Sequence, residues 1–207
     1  MTNKWPKITG RRRTRISPWM GIIEREVEFA RGAKPELYHA VDQSDYVAIV
    51  AQLPDGRIPI IRQYRPALES FTWELPAGLT DEGEDPAACC RRELTEETGF
   101  AAVSVHPLGS FAPCTGRLSN WLHSFYVKTR QVPEQKNVEP GIGLKLVTLP
   151  QLAKMVRVGE FTLQLHAGAL LLAGLHGFIS LEAFQRRRSS ASAAKPRTRS
   201  SPRRSPH

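Results

Sequence analysis

Residues 78–100 read GLTDEGEDPAACCRRELTEETGF, and no other stretch restricts the fold of this chain so tightly. Pro86 suits the first turn of a helix with Asp85 as its N-cap, and Gly99 suits the position just past its end, so the spacing predicts a helix over Pro86–Thr98. On that helix Glu93, Glu96 and Glu97 stand at i, i+3 and i+4 and share a face. Like charges so spaced cost a helix a few tenths of a kcal/mol, roughly, per pair, which calls for a cation. Carboxylate oxygens are the ligands Mg²⁺ and Mn²⁺ prefer, and such ions keep positions open for water and phosphates. Arg92 can brace one of the glutamates. Ala87, Cys90, the stem of Arg91 and Leu94 lie on the other side, with Ala87 and Leu94 facing the core. The alternative, a solvated acidic helix face, leaves Gly78, Gly99, Glu84 and Arg92 unexplained.

Strand-like and helix-like segments surround this helix. Ile16–Val27 and Glu36–Val41 read as strands of an N-terminal extension, and Tyr46–Leu53, the turn Pro54-Asp55-Gly56 and Ile58–Tyr64 read as a hairpin. Phe71–Leu75 leads through Pro76 and Ala77 into the acidic segment. Ser104–Phe111, His123–Val127 and Gly143–Leu149 have strand character. Leu149–Val158 and Leu163–Leu175 have helical patterns, the second apolar enough to be buried. No internal repeat is visible. This order predicts an α+β fold, with helices covering a mixed sheet on both faces.

The 207 residues fit one catalytic domain with extensions. The formal net charge of +9 hides an acidic body. Eight Lys and Arg lie in residues 186–207 and six in residues 1–20, with no acid in either stretch, so residues 21–185 carry −5. Residues 1–15 read as a flexible basic lead without the apolar stretch of a secretory signal. Residues 186–207, rich in Ser, Arg and Pro, read as a disordered tail. Nonspecific polyanion contact suits that tail, although no aromatic is interleaved with its cations. Three cysteines make no disulfide framework, and no apolar run reaches the roughly 18 residues of a membrane span, so the expected home is the cytoplasm. His123, His166 and His176 lack metal-ligand spacing and read as structural, and Cys114 reads as a loop thiol.

From Gly78 the pattern continues with Glu84, Arg92, Glu93, Leu94, Glu96, Glu97, Gly99 and Phe100, and in these positions it resembles the Nudix box throughout. Arg62-Gln63-Tyr64-Arg65-Pro66 and Trp73-Glu74-Leu75-Pro76-Ala77-Gly78 resemble the run found in the ADP-ribose pyrophosphatase and nucleoside diphosphate sugar hydrolase subfamily. The resemblance implies a Nudix fold, a mixed β-sheet between helices in three α/β/α layers, as a hydrolase domain over residues 43–185. It also implies that a β-rich extension over residues 16–42 forms a homodimer. The implied reaction is Mg²⁺-dependent hydrolysis, with Mn²⁺ as an alternative ion, of ADP-ribose or a related nucleoside diphosphate sugar. The products would be a nucleoside monophosphate and a sugar phosphate. A GDP-sugar or dinucleoside polyphosphate hydrolase, or a non-catalytic nucleotide- or RNA-binding module, remain alternatives.

By motif position, the resemblance implies metal ligation by Glu93, Glu97, the Ala77 carbonyl and Glu96, and substrate contact by Arg65 and Leu79. Of Trp5, Trp19 and Trp73, Trp19 is the choice for the aromatic that stacks on the base in the dimeric relatives, because it sits in the extension. Gly78 would allow a tight turn, while Glu84 and Arg92 would orient the loop and Gly99 would end the helix. A later-loop glutamate often serves such enzymes as general base; Glu139, ahead of Pro140-Gly141, fits better than Glu134. One departure is Thr115, fifteen residues beyond Phe100, where the subfamily typically has proline.

Overall fold

The computed structural model describes residues 5–131 and 141–185, the side chain of Gln131 excepted. Three antiparallel strands, β1 (Lys7–Ser17), β2 (Met20–Glu28) and β3 (Glu36–Asp42), form an N-terminal sheet. The basic segment expected as a flexible lead is therefore a strand from Lys7, and the strand expected over Ile16–Val27 is broken by a turn at Pro18 and Trp19. Opposite charge explains the difference. Arg12 pairs with Glu24 of β2 and Arg13 with Asp42 of β3, so ladder bonds and cross-strand ion pairs order a segment that composition alone marks as solvated.

The remaining strands are β4 (Tyr46–Gln52), β5 (Ile58–Arg65), β6 (Ser70–Glu74), β7 (Ala77–Leu79), β8 (Phe100–Phe111), β9 (Leu122–Gln131) and β10 (Gly143–Val147). They form two sheets, ordered β7-β4-β9-β8 and β10-β5-β6. β4 runs parallel to β9 and antiparallel to β7, which makes the larger sheet mixed. The expected hairpin between β4 and β5 does not form a ladder. Its turn closes locally, Leu53 N–H to Arg57 O at 2.9 Å, and the strands then part into separate sheets. The composition of β4 favours this separation, because YVAIVAQ has no polar face to give to solvent.

Alternation along β4 divides the interior in two. Val47, Ile49 and Ala51 meet Cys89, Cys90 and Leu94 of helix α1 (Pro86–Thr98). Ala48 and Val50 face the other way, onto a core shared with Ile58 and Ile60 of β5, Leu152 and Met155 of α2 (Leu149–Val158), and Ala169, Leu170 and Ala173 of α3 (Gln164–Leu175). A short α4 (Glu182–Gln185) packs on α2. The layers are thus α1, sheets, then α2 and α3. Among the described residues no helix is long and apolar enough to cross a membrane.

Helix α1 has the expected limits. Asp85 Oδ2 accepts from Ala87 and Ala88 N–H at 3.1 Å, Pro86 occupies the first turn, and Gly99 closes the end at φ 69° with its N–H on Thr95 O. Leu94 is fully buried against β4, a burial that stabilises by about 1.5–3 kcal/mol and fixes which side of the helix turns outward.

Candidate active site

With Leu94 locked inward, Glu93 and Glu97 point along the flank of α1 toward β7, and both are nearly buried, at 9% and 4% exposure. Glu97 Oε2 accepts the Ala77 N–H at 2.8 Å. Glu93 lies so close to β7 that a Cβ built on Gly78 would stand 1.9 Å from its Cδ and 2.0 Å from Oε1. The reason for glycine here is room for a carboxylate, not the tight turn expected from sequence, because Gly78 is a strand residue paired with Val47 and has no positive φ. The helix thus brings two carboxylates, one turn apart, against the backbone of a short strand.

Arg92 organises the outer rim. Its Nε and Nη2 donate to the two oxygens of Glu84 at 3.0 and 2.9 Å, and its Nη1 donates to Glu93 at 2.7 Å and Glu96 at 3.0 Å. Nη2 also reaches the carbonyl of Leu79 at 3.1 Å. Glu84 accepts the Asp81 N–H as well, which closes the loop between β7 and α1. Hydrogen bonds from Arg92, then from Asp81, bring the Glu84 carboxyl down to about 2, and the same carboxylates raise the Arg92 guanidinium above its ordinary value. Glu96 stays half-exposed at this rim. Burial, the largest cause, pushes the Cys89 and Cys90 thiols beneath up to about 12, leaving them inert packing groups.

Among the described residues no group of three or more His, Cys, Asp or Glu side chains is gathered to hold a metal unaided. The donors present are the carboxylates of Glu93 and Glu97, with the strand backbone at Ala77 alongside. Burying two anions one turn apart is costly, and a divalent cation whose shell is completed by water and phosphate oxygens suits such a pair. The residues therefore fit a hard cation.

Glu93 and Arg92 border a cleft of about 1030 Å³ between the N-terminal sheet and the β7–α1 loop. Leu79 lines it, as does Trp19, which is 70% exposed. Arg15, which the sequence did not single out, holds the turn bearing Trp19 by donating to Ser17 O at 3.1 Å and Pro18 O at 2.7 Å, and it lines the same cleft. Arg65 is outside the cleft lining. It ends β5, pairs with Glu74 of β6, and interacts electrostatically with Glu97. Thr115 lies exposed on a turn closed by Arg117 and Leu118 N–H groups on Cys114 O. Glu134 and Glu139 fall outside the described residues.

The histidines have structural partners. His166 is buried, and its Nδ1 accepts the Leu75 N–H at 3.0 Å; burial, the largest cause, lowers it to about 4, so it is neutral. His123 bridges Ser110 at 2.7 Å and Asp45 at 3.2 Å, and His176 stacks beside Phe178.

The NUDIX domain pattern matches residues 43–162, more than half of the chain, and the chain belongs to that family. It is similar to the ADP-ribose pyrophosphatase of Bacillus subtilis (strain 168), at 30% identity over 142 residues, which is 67% of this chain and 76% of that one. The ADP-ribose pyrophosphatase of Mycobacterium tuberculosis is 34% identical over 148 residues, 69% of this chain and 65% of its own length. A solved structure titled as an ADP compounds hydrolase superposes with a TM-score of 0.68 over 89% of this chain and 99% of that one; at 18% identity it shows the fold.

Proposed function

We propose that this Nudix-family protein hydrolyses the pyrophosphate of ADP-ribose or a closely related nucleoside diphosphate sugar, releasing a nucleoside monophosphate and a sugar phosphate. The observation carrying this reading is the fixed pair of buried carboxylates, Glu93 and Glu97, set against β7 with Glu93 at the edge of a cleft large enough for a nucleotide. In this reading Glu93, Glu97, the Ala77 carbonyl and Glu96 would hold Mg²⁺, with Mn²⁺ as a substitute. A bound ion of this kind supplies charge neutralisation at the diphosphate and lowers the pKa of a coordinated water. Arg92, clamped on Glu84, keeps Glu93 in place. Gly78 leaves it room, and Gly99 ends the helix that carries both carboxylates. Trp19 offers an exposed ring to the base and Leu79 an apolar contact, while Arg65 supplies a cation near Glu97. Glu139 serves as the base in this account.

The N-terminal sheet, residues 16–42 with β1, is assigned to a homodimer. Supporting this are its exposed apolar side chains, among them Ile16, Phe29, Leu37 and Tyr38. Residues 43–185 form the catalytic unit, and residues 186–207 are assigned nonspecific polyanion contact. Three free cysteines are compatible with a cytoplasmic setting.

The test is phosphorus NMR of products from ADP-ribose, a GDP-sugar and a dinucleoside polyphosphate, each with Mg²⁺ and with Mn²⁺. AMP and ribose 5-phosphate from ADP-ribose at the highest kcat/KM is the expected result. A preference for either other substrate moves the assignment within the family. Binding without turnover of any of them leaves a nucleotide-binding module in its place.

A further inference from the structure

Arg65 and Glu74 are arranged unlike an ordinary surface ion pair. Ile61 of β5 stands opposite Glu74 of β6, and Arg65 opposite Ser70, so by strand alternation Arg65, Gln63 and Ile61 share a face with Ser70, Thr72 and Glu74. Along that face Arg65 reaches back to Glu74, donating from Nε to Oε1 at 2.8 Å and from Nη2 to Oε2 at 2.5 Å. The Glu74 side chain is 3% exposed, whereas that of Arg65 is 41% exposed. Thr72 Oγ1 adds a third hydrogen bond to Glu74, and His166 secures the next residue by accepting the Leu75 N–H. Burial pushes the Glu74 carboxyl up, but the bonds from Arg65 and Thr72 outweigh it and hold the group below its ordinary value, so it is ionised.

We propose that Glu74 is a positioning residue of the reaction: it holds the Arg65 guanidinium in one orientation beside the glutamate site, ready for an anionic oxygen of the substrate. The proposal rests on the reading above that Arg65 binds substrate. A guanidinium has five N–H donors, and Glu74 takes two of them. Glu74 leaves the other three untaken on a side chain that is 41% exposed, and the charge acts on Glu97. A long arginine left to itself samples many rotamers, and ordering it when ligand arrives costs affinity; a buried bidentate carboxylate removes that cost in advance. A pair serving stability alone needs no exposed partner, and apolar replacements often equal buried pairs in stability.

The experiment compares wild type, Arg65→Ala, Glu74→Gln and the double variant in ADP-ribose hydrolysis with Mg²⁺, and in ADP binding by calorimetry on a Glu97→Gln background. Glu74→Gln should raise KM and weaken ADP binding about tenfold with kcat changed by less than about threefold, and the double variant should be no worse than Arg65→Ala. Thr72→Val, which retains the ion pair, should have an effect of the same kind, about two- to threefold, and it carries the test if Glu74→Gln does not fold. Unchanged KM and ADP affinity in Glu74→Gln, or a double variant equal to the product of the singles, overturns the inference. An inert wild type sinks the hydrolase reading, and the ADP-binding series still decides the role of Glu74; a protein that does not bind ADP at all overturns both.

Discussion

Gly78→Ala should separate catalysis from stability, because the three atoms nearest the new methyl all belong to one carboxylate. The new methyl would lie 1.9 Å from Glu93 Cδ, and an ordinary contact requires about 3.5 Å, so the carboxylate must retreat by about 1.5 Å. Glu93 can do this by rotating its own side chain, losing the 2.7 Å hydrogen bond from a part-exposed Arg92. The fold should therefore lose only about 1 kcal/mol, which in a chain of this size lowers Tm by about 2–4 °C. Misplacing a catalytic group by more than 1 Å costs on the order of 100-fold in rate, about 2.7 kcal/mol of barrier. Steady-state hydrolysis of ADP-ribose gives the first number and thermal unfolding the second. Gly116→Ala serves as control, since a Cβ there meets nothing within 4 Å and its φ is not positive. Activity within about threefold of wild type would refute the premise that Glu93 must rest against β7.

Acid should destabilise the fold in two stages. His166 is neutral when folded and lowered to about 4, so the unfolded chain binds the extra proton between its ordinary pH of about 6.5 and 4; stability falls with pH across that window, and His166→Leu should flatten the loss in a urea titration. Glu84, down at about 2, contributes stability that is present above its ordinary range near 4.5 and lost as pH falls toward 2, a decline that Arg92→Ala should reduce while the Asp81 N–H bond keeps part of it. In the native protein at pH 7.5 a thiol reagent should label Cys114 and spare Cys89 and Cys90, with all three labelled in urea. Trp19→Ala should raise KM for ADP-ribose about tenfold and leave kcat within about threefold, since the exposed ring lines the cleft and is assigned to the base, not to the metal site.

Much of this was legible in the sequence where local chemistry decides structure. Asp85, Pro86 and Gly99 set the limits of α1, and the apolar Leu94 set its rotation, so the carboxylate face followed. What depended on distant partners was not legible. The order of β1 comes from Glu24 and Asp42, far along the chain from Arg12 and Arg13, and composition presents only a basic run. The two sheets were hidden because the turn at residues 54–56 has hairpin chemistry while pairing across the core sends β4 and β5 apart. Gly78 announced itself, but its reason, the approach of Glu93 from a helix that follows it, appears only in three dimensions. Arg15 and Glu74 carry no spacing signal of their own. A carboxylate nine residues beyond Arg65, with a hydroxyl two before it on the same strand face, was the available hint for Glu74.

The most direct measurement of the central claim is AMP release from ADP-ribose by wild type and Glu97→Gln across a Mg²⁺ titration. The account predicts metal-dependent release by wild type and a loss of at least about 1000-fold in Glu97→Gln, with unfolding within a few degrees of wild type. Equal rates in the two proteins, or release by wild type that ignores Mg²⁺ and Mn²⁺ alike, would contradict it.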